Sequence, residues 1–288
     1  MEDEALRTLL LQFGLELDDV TEDEEEDDKG NKIKVKHYKI DVPANRPDLL
    51  SVESIAVALK IFRGEEHPKY NIIPPVLEIN VEESVNGVRD LIVCAVLRNV
   101  KFTKDNYNSF IDFQDKLHQN LCRRRLFASI GTHDLKLCKP PFRYLAQKPE
   151  EIVFVPLNGI PNKELVEVNG KQLFENIENA HHTLAAYLPL LKDKVKKGDQ
   201  EELVLKPLFP VVRDSEGVLS LPPIINSDRT KITLDTTDVF IECTALDQTR
   251  AMTALICLCS AFSLYTSTPF PIEQVNVIKN GKTTVTPN

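Results

Sequence analysis

The chain has 288 residues, 42% of them hydrophobic and 27% charged, with six cysteines and a formal net charge of −9. That length and apolar content exclude a disordered chain and leave room for one large domain or two modest ones, each with its own core. The cysteines form no secreted framework, no apolar run nears the roughly 20 residues that span a bilayer, and Met-Glu-Asp-Glu lacks a signal peptide's basic and apolar regions, so a reducing, cytoplasmic setting without membrane contact is expected.

The first 30 residues carry 13 acids against Arg7 and Lys29, a balance of −11 that leaves +2 for the rest of the chain. Most of the length is therefore near neutral, which neither demands nor excludes an RNA partner. Residues 4–20 predict a short amphipathic helix, with Leu6, Leu9, Leu10 and Phe13 on one face, ended by Gly14 and followed by Leu15 to Val20. Glu22 to Asp28 reads as a solvated, self-repelling loop. A strand is expected at Ile33 to Val42. A proline-punctuated loop, Pro43 to Asp48, follows, in which Asp48 or Ser51 caps a helix over 51–63 that Gly64 stops. The linker 65–75, with Pro68, Pro74 and Pro75, divides a small α/β unit (1–75) from a larger one (76–288).

In the second unit, Val76 to Val81 and Leu91 to Val100 predict strands. Asn106 to Arg124 predicts a helix with Phe110, Phe113, Leu117 and Leu121 on one face. Next come strands at Phe127 to Gly131 and Ile152 to Leu157, a helical segment from Glu164 to Leu191, a charged loop over 192–202, and β structure from Leu203 to Val218. Thr249 to Tyr265 predicts an apolar helix and Val275 to Val277 a closing strand. The pattern is α+β, or mixed α/β, around one main sheet.

The most informative run is Leu219-Ser-Leu-Pro-Pro-Ile-Ile-Asn-Ser-Asp228. Pro222 and Pro223 fix two φ angles and remove two backbone donors, which predicts a rigid wall with free carbonyls; Asn226, Ser227 and Asp228 supply a turn. Asp238 to Thr244 then alternates as a strand, with Val239 and Ile241 on one face and Phe240 and Glu242 on the other. On so apolar a strand, Glu242 either keeps its head in water at a rim or lines a cavity, since an unpaired buried carboxylate is costly. Ile130-Gly-Thr-His-Asp-Leu135 sets His133 and Asp134 beside a Gly-Thr turn, which suits a base or equally a structural hydrogen-bonded pair. Arg123, Arg124 and Arg125, with Lys116 and His118 one to two helical turns earlier, form either a solvated helix end or a phosphate contact. Cys257 and Cys259 lie in an apolar helical run and read as core rather than zinc ligands. The chain has neither a Gly-rich phosphate loop nor a Gly-x-Ser-x-Gly elbow, so it offers no support for ATP chemistry of its own.

Several long runs carry a family resemblance: Asp41-Val-Pro-Ala-Asn-Arg-Pro-Asp-Leu-Leu-Ser51, Arg98 to Lys104, Lys116 to Arg123, Ile130 to Leu135, Leu221-Pro-Pro-Ile-Ile-Asn226 and Val239-Phe-Ile-Glu-Cys-Thr244. In this order they resemble the β subunit of cytosolic phenylalanyl-tRNA synthetase of the eukaryotic and archaeal type, over nearly the whole chain. The family's β subunit runs further, so the chain resembles an N-terminal fragment, a B1 domain followed by a B3/B4 domain whose C-terminal end begins a return toward B1. The resemblance implies proofreading hydrolysis of tyrosine misesterified to tRNA(Phe). Phenylalanine activation with ATP and Mg²⁺ would belong to the α subunit of an α2β2 enzyme, and the fragment itself would need no cofactor.

The resemblance also implies a pocket. Glu242 would accept the tyrosine hydroxyl, and Ser220, Leu221 and Thr244 would line the slot. Pro222, Pro223, Asn226 and Ser227 would form its wall and floor, with Asn226 and Ser227 toward the ester or terminal ribose. His133 and Asp134 would support the mouth, and Arg123, Arg124 and Arg125 would meet tRNA phosphates. No protein nucleophile is implied; a positioned water, helped by the terminal adenosine's own hydroxyl, would attack the ester. The rival expectation is a non-catalytic arm that docks tRNA within the synthetase.

Overall fold

The chain divides into two units, Met1–Pro68 and Lys69–Asn288, in a computed structural model described over residues 3–26, 32–159, 165–180, 183–197 and 200–288. In the first unit, helix α1 (Asp3–Phe13) ends where Gly14 takes φ +95 and donates its N–H back to the Leu10 carbonyl. Strands β1 (Glu16–Glu26) and β2 (Lys32–Asp41) form an antiparallel ribbon. Helix α2 (Val52–Phe62) is capped by Ser51, whose Oγ accepts from the Ser54 N–H, while Asp48 pairs with Arg46. Leu10, Leu15, Leu17 and Leu49 are the buried core.

The acidic segment expected as a loop is instead strand as far as Glu26; Asp27 and Asp28 lie outside the described residues. The register explains the difference. It sets Glu22 opposite Lys36, Glu24 opposite Lys34 and Glu26 opposite Lys32, so these alternate acids face a base rather than another acid.

The second unit runs β3 (Asn71–Val81), β4 (Leu91–Leu97), α3 (Lys104–Gln119), β5 (Ala128–Asp134), β6 (Phe142–Gln147), β7 (Val153–Phe154), β8 (Val168–Asn169), α4 (Gly170–Asn179), β9 (Lys192–Lys197), β10 (Gln200–Leu205), β11 (Phe209–Arg213), β12 (Val218–Leu221), β13 (Ile225–Asn226), β14 (Val239–Ala245), α5 (Gln248–Phe262), β15 (Pro271–Lys279) and β16 (Lys282–Thr286). Its main sheet is mixed, in the order β13-β12-β11-β6-β3-β15-β4-β14-β5, with β16 added beside β15.

Four expectations change here. Pro74 and Pro75 lie within β3 rather than in a linker, at a place where the ladder with β15 skips from Ile73 to Leu77 and asks no donor of them. Only Gly170–Asn179 of the expected long helix is α-helical; a 3-10 segment, Thr183–Leu191, follows, and Glu164 is outside the described residues. The charged loop is the hairpin β9–β10, with Lys194 bonded to Glu201 at 3.0 Å. Val275 to Val277 does not close the fold. It is the middle of β15, a central strand with β16 beside it in the same sheet.

Strand alternation sorts the core into layers. Phe142, Tyr144, Val212, Leu219, Phe240 and Val275 fill the inside of the curled sheet. Leu145, Phe209 and Val211 face outward under α4 and the 3-10 segment, while α3 and α5 cover β4, β14 and β5. No helix among the described residues is long and apolar enough to cross a membrane.

Candidate functional site

β14 is hydrogen-bonded to β4 on one side and β5 on the other along all seven residues, and every one of those residues is buried. Its apolar, β-branched sequence suits a strand buried on both faces. Phe240 turns inward and stacks on Phe142 at 4.8 Å between centroids, and Glu242, two residues on, shares that face. Glu242 is therefore interior, at 1% exposure, and not at a rim.

Its carboxylate is half-satisfied. Oε1 accepts a 2.7 Å hydrogen bond from Ser220 Oγ on β12, whereas Oε2 has no hydrogen-bond partner among the described residues. Ser220 reaches it because the sheet curls until its two edges meet: Asn226 of β13 donates from Nδ2 to the Thr132 carbonyl of β5 at 3.3 Å. Gly131 makes the space. It stands opposite Glu242 on β5, and a Cβ there would lie 2.2 Å from Glu242 Oε1 and 3.2 Å from Asn226 Oδ1. Sequence reasoning placed this glycine in a turn at a strand's end, although a lone Gly inside a strand is the ordinary sign of a close approach.

His133 joins the site from the same strand. Its ring is fully buried, with Nδ1 2.9 Å from Thr230 Oγ1 and Nε2 4.0 Å from Glu242 Oε1; Nε2 also lacks a hydrogen-bond partner among the described residues. Asp134 does not join it. The run expected as a Gly-Thr turn is strand β5, so His133 and Asp134 point to opposite faces, and Asp134 accepts from the Lys136 N–H and Thr236 Oγ1 instead.

The remaining expected residues are held by scaffold contacts. Thr244 shares the inward face of β14, but its Oγ1 and carbonyl both accept from Arg89, at 3.0 and 2.9 Å. Arg89 also holds the carbonyls of Leu126 and Arg125, and burial pushes its pKa down; nothing in the sequence around it signalled this role. Ser227 Oγ accepts from the Arg229 N–H and donates to the Val155 carbonyl, so it caps the turn Asp228–Thr230. Leu221 packs in the outer core with Leu173 and Phe174.

Pro222 and Pro223 are buried, joined by a cis bond, and their wall is closed from behind. The carbonyl of Pro223, expected to be free, and that of Ile224 accept from Arg125 Nη1 at 3.3 and 2.8 Å, and the same guanidinium lies over the Tyr187 ring at 4.4 Å. Arg125 is thus a scaffold residue, while Arg123 and Arg124 are exposed. His118 leaves the basic cluster altogether. It is buried, its Nε2 accepts from the Ile130 N–H at 2.8 Å, and burial together with Arg125 and Arg89 holds its pKa well below the usual 6.5.

Comparison with known proteins matches both units. Residues 1–65 match the Phe-tRNA synthetase beta subunit B1 domain family and residues 93–263 the B3/4 domain family. The phenylalanine–tRNA ligase beta subunit of Dictyostelium discoideum is 41% identical over 98% of this chain and 45% of its own length. The human beta subunit is 40% identical over 97% of this chain and 47% of its own. The chain thus spans about half the length of these relatives. A crystal structure of an N-terminal fragment of the phenylalanyl-tRNA synthetase beta subunit from Pyrococcus horikoshii superposes with a TM-score of 0.80 at 30% identity, covering 100% of this chain and 75% of that one. The chain belongs to the phenylalanine–tRNA ligase beta-subunit family and corresponds to its N-terminal part, with B1 and B3/4 domains.

Proposed function

We propose that the second unit proofreads aminoacyl-tRNA, hydrolysing the ester of tyrosine wrongly attached to tRNA(Phe). Tyrosine is phenylalanine plus one hydroxyl, and an apolar pocket rejects an added hydroxyl only about a hundredfold. A second site that seeks the hydroxyl corrects the remainder, and such a site needs a buried acceptor that tyrosine satisfies and phenylalanine leaves unpaired. The observation that carries this reading is Glu242 Oε2, an unpartnered carboxylate oxygen inside an apolar sheet.

On this reading Ser220 orients the carboxylate, and Pro222 and Pro223 wall the slot. Asn226, at the gap between β13 and β5, lies toward the ester. Thr244 and Ser227 support the slot through Arg89 and the Asp228–Thr230 turn. The exposed Arg123 and Arg124 take tRNA phosphates. No Ser–His or Cys–His pair is assigned as nucleophile; orientation of water at the ester supplies the rate. The working enzyme pairs this subunit with an α subunit, as α2β2. There ATP and Mg²⁺ serve amino-acid activation away from this site. The Arabidopsis thaliana relative is named as cytoplasmic, and we place this chain there too.

The test is hydrolysis of tyrosyl-tRNA(Phe) against phenylalanyl-tRNA(Phe) by this chain and by the assembled synthetase, at one stated salt concentration. Glu242→Gln is expected to lower the preference for the tyrosyl ester by about 10- to 100-fold, the worth of one buried acceptor. An intact synthetase that binds tRNA but clears neither ester would show instead a docking arm.

A further inference from the structure

Resting on the editing reading above, we infer that His133 is a second specificity-determining residue, and that the hydroxyl is read by a donor–acceptor pair rather than by Glu242 alone. His133 and Glu242 each bring an unpartnered polar atom to the interior of the sheet, Nε2 and Oε2. Both side chains are almost wholly buried, at 0% and 1% exposure. Two buried polar atoms without partners, on side chains that face each other, call for an explanation that bulk water cannot supply.

Local contacts set the roles. His133 Nδ1 lies 2.9 Å from Thr230 Oγ1, and Nε2 faces the Glu242 carboxylate. A lone pair turned toward a carboxylate is repelled, so the favoured tautomer carries its proton on Nε2, with the Thr230 hydroxyl donating to Nδ1. The imidazole is then a donor aimed at a carboxylate it cannot reach, because its 4.0 Å to Oε1, the oxygen that also accepts from Ser220, is too long for a direct hydrogen bond. One hydroxyl oxygen fits the gap. Placed about 2.8 Å from Nε2 and Oε1, it subtends roughly a right angle, an open geometry for a hydroxyl that accepts from Nε2–H and donates to the carboxylate. A phenol does both. Phenylalanine leaves both buried groups unpaired, so its ester is penalised twice.

The experiment uses the assembled synthetase with chemically acylated tRNA(Phe) carrying tyrosine, phenylalanine or 4-aminophenylalanine, and reads kcat/KM for ester hydrolysis. His133→Leu is expected to lower the tyrosyl-over-phenylalanyl ratio about tenfold, by slowing the tyrosyl ester and easing the phenylalanyl one, and His133→Gln, which keeps an N–H, to restore most of it. The unaltered enzyme supplies a measure independent of folding: the 4-amino group donates but accepts poorly, so its ester should be cleared about tenfold more slowly than the tyrosyl ester. If His133→Leu keeps the full ratio while Glu242→Gln loses it, or if the 4-amino ester is cleared as fast as the tyrosyl ester, Glu242 reads the hydroxyl alone. The inference is then wrong while the editing reading stands. If the unaltered enzyme does not distinguish the tyrosyl and phenylalanyl esters, both are wrong.

Discussion

At the scale of single residues, the absence of an atom on Gly131 matters as much as the carboxylate opposite it. A methyl there would sit 2.2 Å from Glu242 Oε1, well inside any tolerable contact, so either Glu242 turns away or β5 moves. Gly131→Ala is expected to cost about 1–3 kcal/mol in a denaturant melt, as overpacking does, and to remove the same tyrosyl preference that Glu242→Gln removes. An alanine variant with unchanged preference would mean that Glu242 is not the reader. His118 gives a second prediction, in pH. Its folded-state pKa is depressed below 6.5 by burial, so at low pH the unfolded chain takes up a proton that the folded one refuses. Stability is unaffected above about pH 7 and falls as pH drops through 6.5, by at most about 1.4 kcal/mol per unit. Urea melts at pH 7.5 and 5.5 should show that loss in the unaltered chain and less of it in His118→Asn.

At the scale of elements, the turn after α3 joins surface charge to the Pro222–Pro223 segment. Arg123, Arg124 and Arg125 take φ values of 48, 51 and 62, a left-handed stretch that costs about 1–2 kcal/mol per residue. This turn leaves two guanidinium groups exposed and sends the third beneath Pro223 and Ile224. The three arginines should therefore separate cleanly. Arg123→Glu and Arg124→Glu are expected to weaken tRNA binding, and to flatten its salt dependence, without moving the melting temperature. Arg125→Met, which strands two buried carbonyls, should lower the melt by about 2–3 kcal/mol. Equal melting shifts from all three would contradict the division. None of this was legible in three consecutive arginines, because left-handed backbone at non-glycine residues has no composition signal. Legibility elsewhere followed the range of the forces. Caps and periodicity gave α2, α3 and α5 because both are local, and β14 was plain from its alternation. The contacts Ser220–Glu242 and Asn226–Thr132 join residues 22 and 94 positions apart, and only the curling of the sheet brings them together. The acidic end of β1 and most of the β9–β10 hairpin were misread as loops for a related reason: each strand is too charged to stand alone and is stabilised by the opposite charge on its partner.

At the scale of the molecule, the two units are unequal in what holds them. The first, Met1–Pro68, buries Leu10, Leu15, Leu17 and Leu49 as its core, and its ribbon rests on exposed acid–base pairs such as Lys32–Glu24 and Lys36–Glu22. A unit of that length is marginal, and exposed pairs are screened by salt. The second unit, Lys69–Asn288, is built on two large buried clusters. Calorimetry should accordingly resolve a small transition below a larger one, with added salt lowering only the first. A chain beginning at Lys69 should lack the small transition and keep the large one. Ser220, Glu242, His133, Asn226 and Gly131 all lie beyond that cut, so its interior site should survive intact. One cooperative transition in the whole chain, or a molten Lys69–Asn288, would mean that the site depends on the first unit for its fold; catalysis would then have to be sought in the pair rather than in the second unit alone.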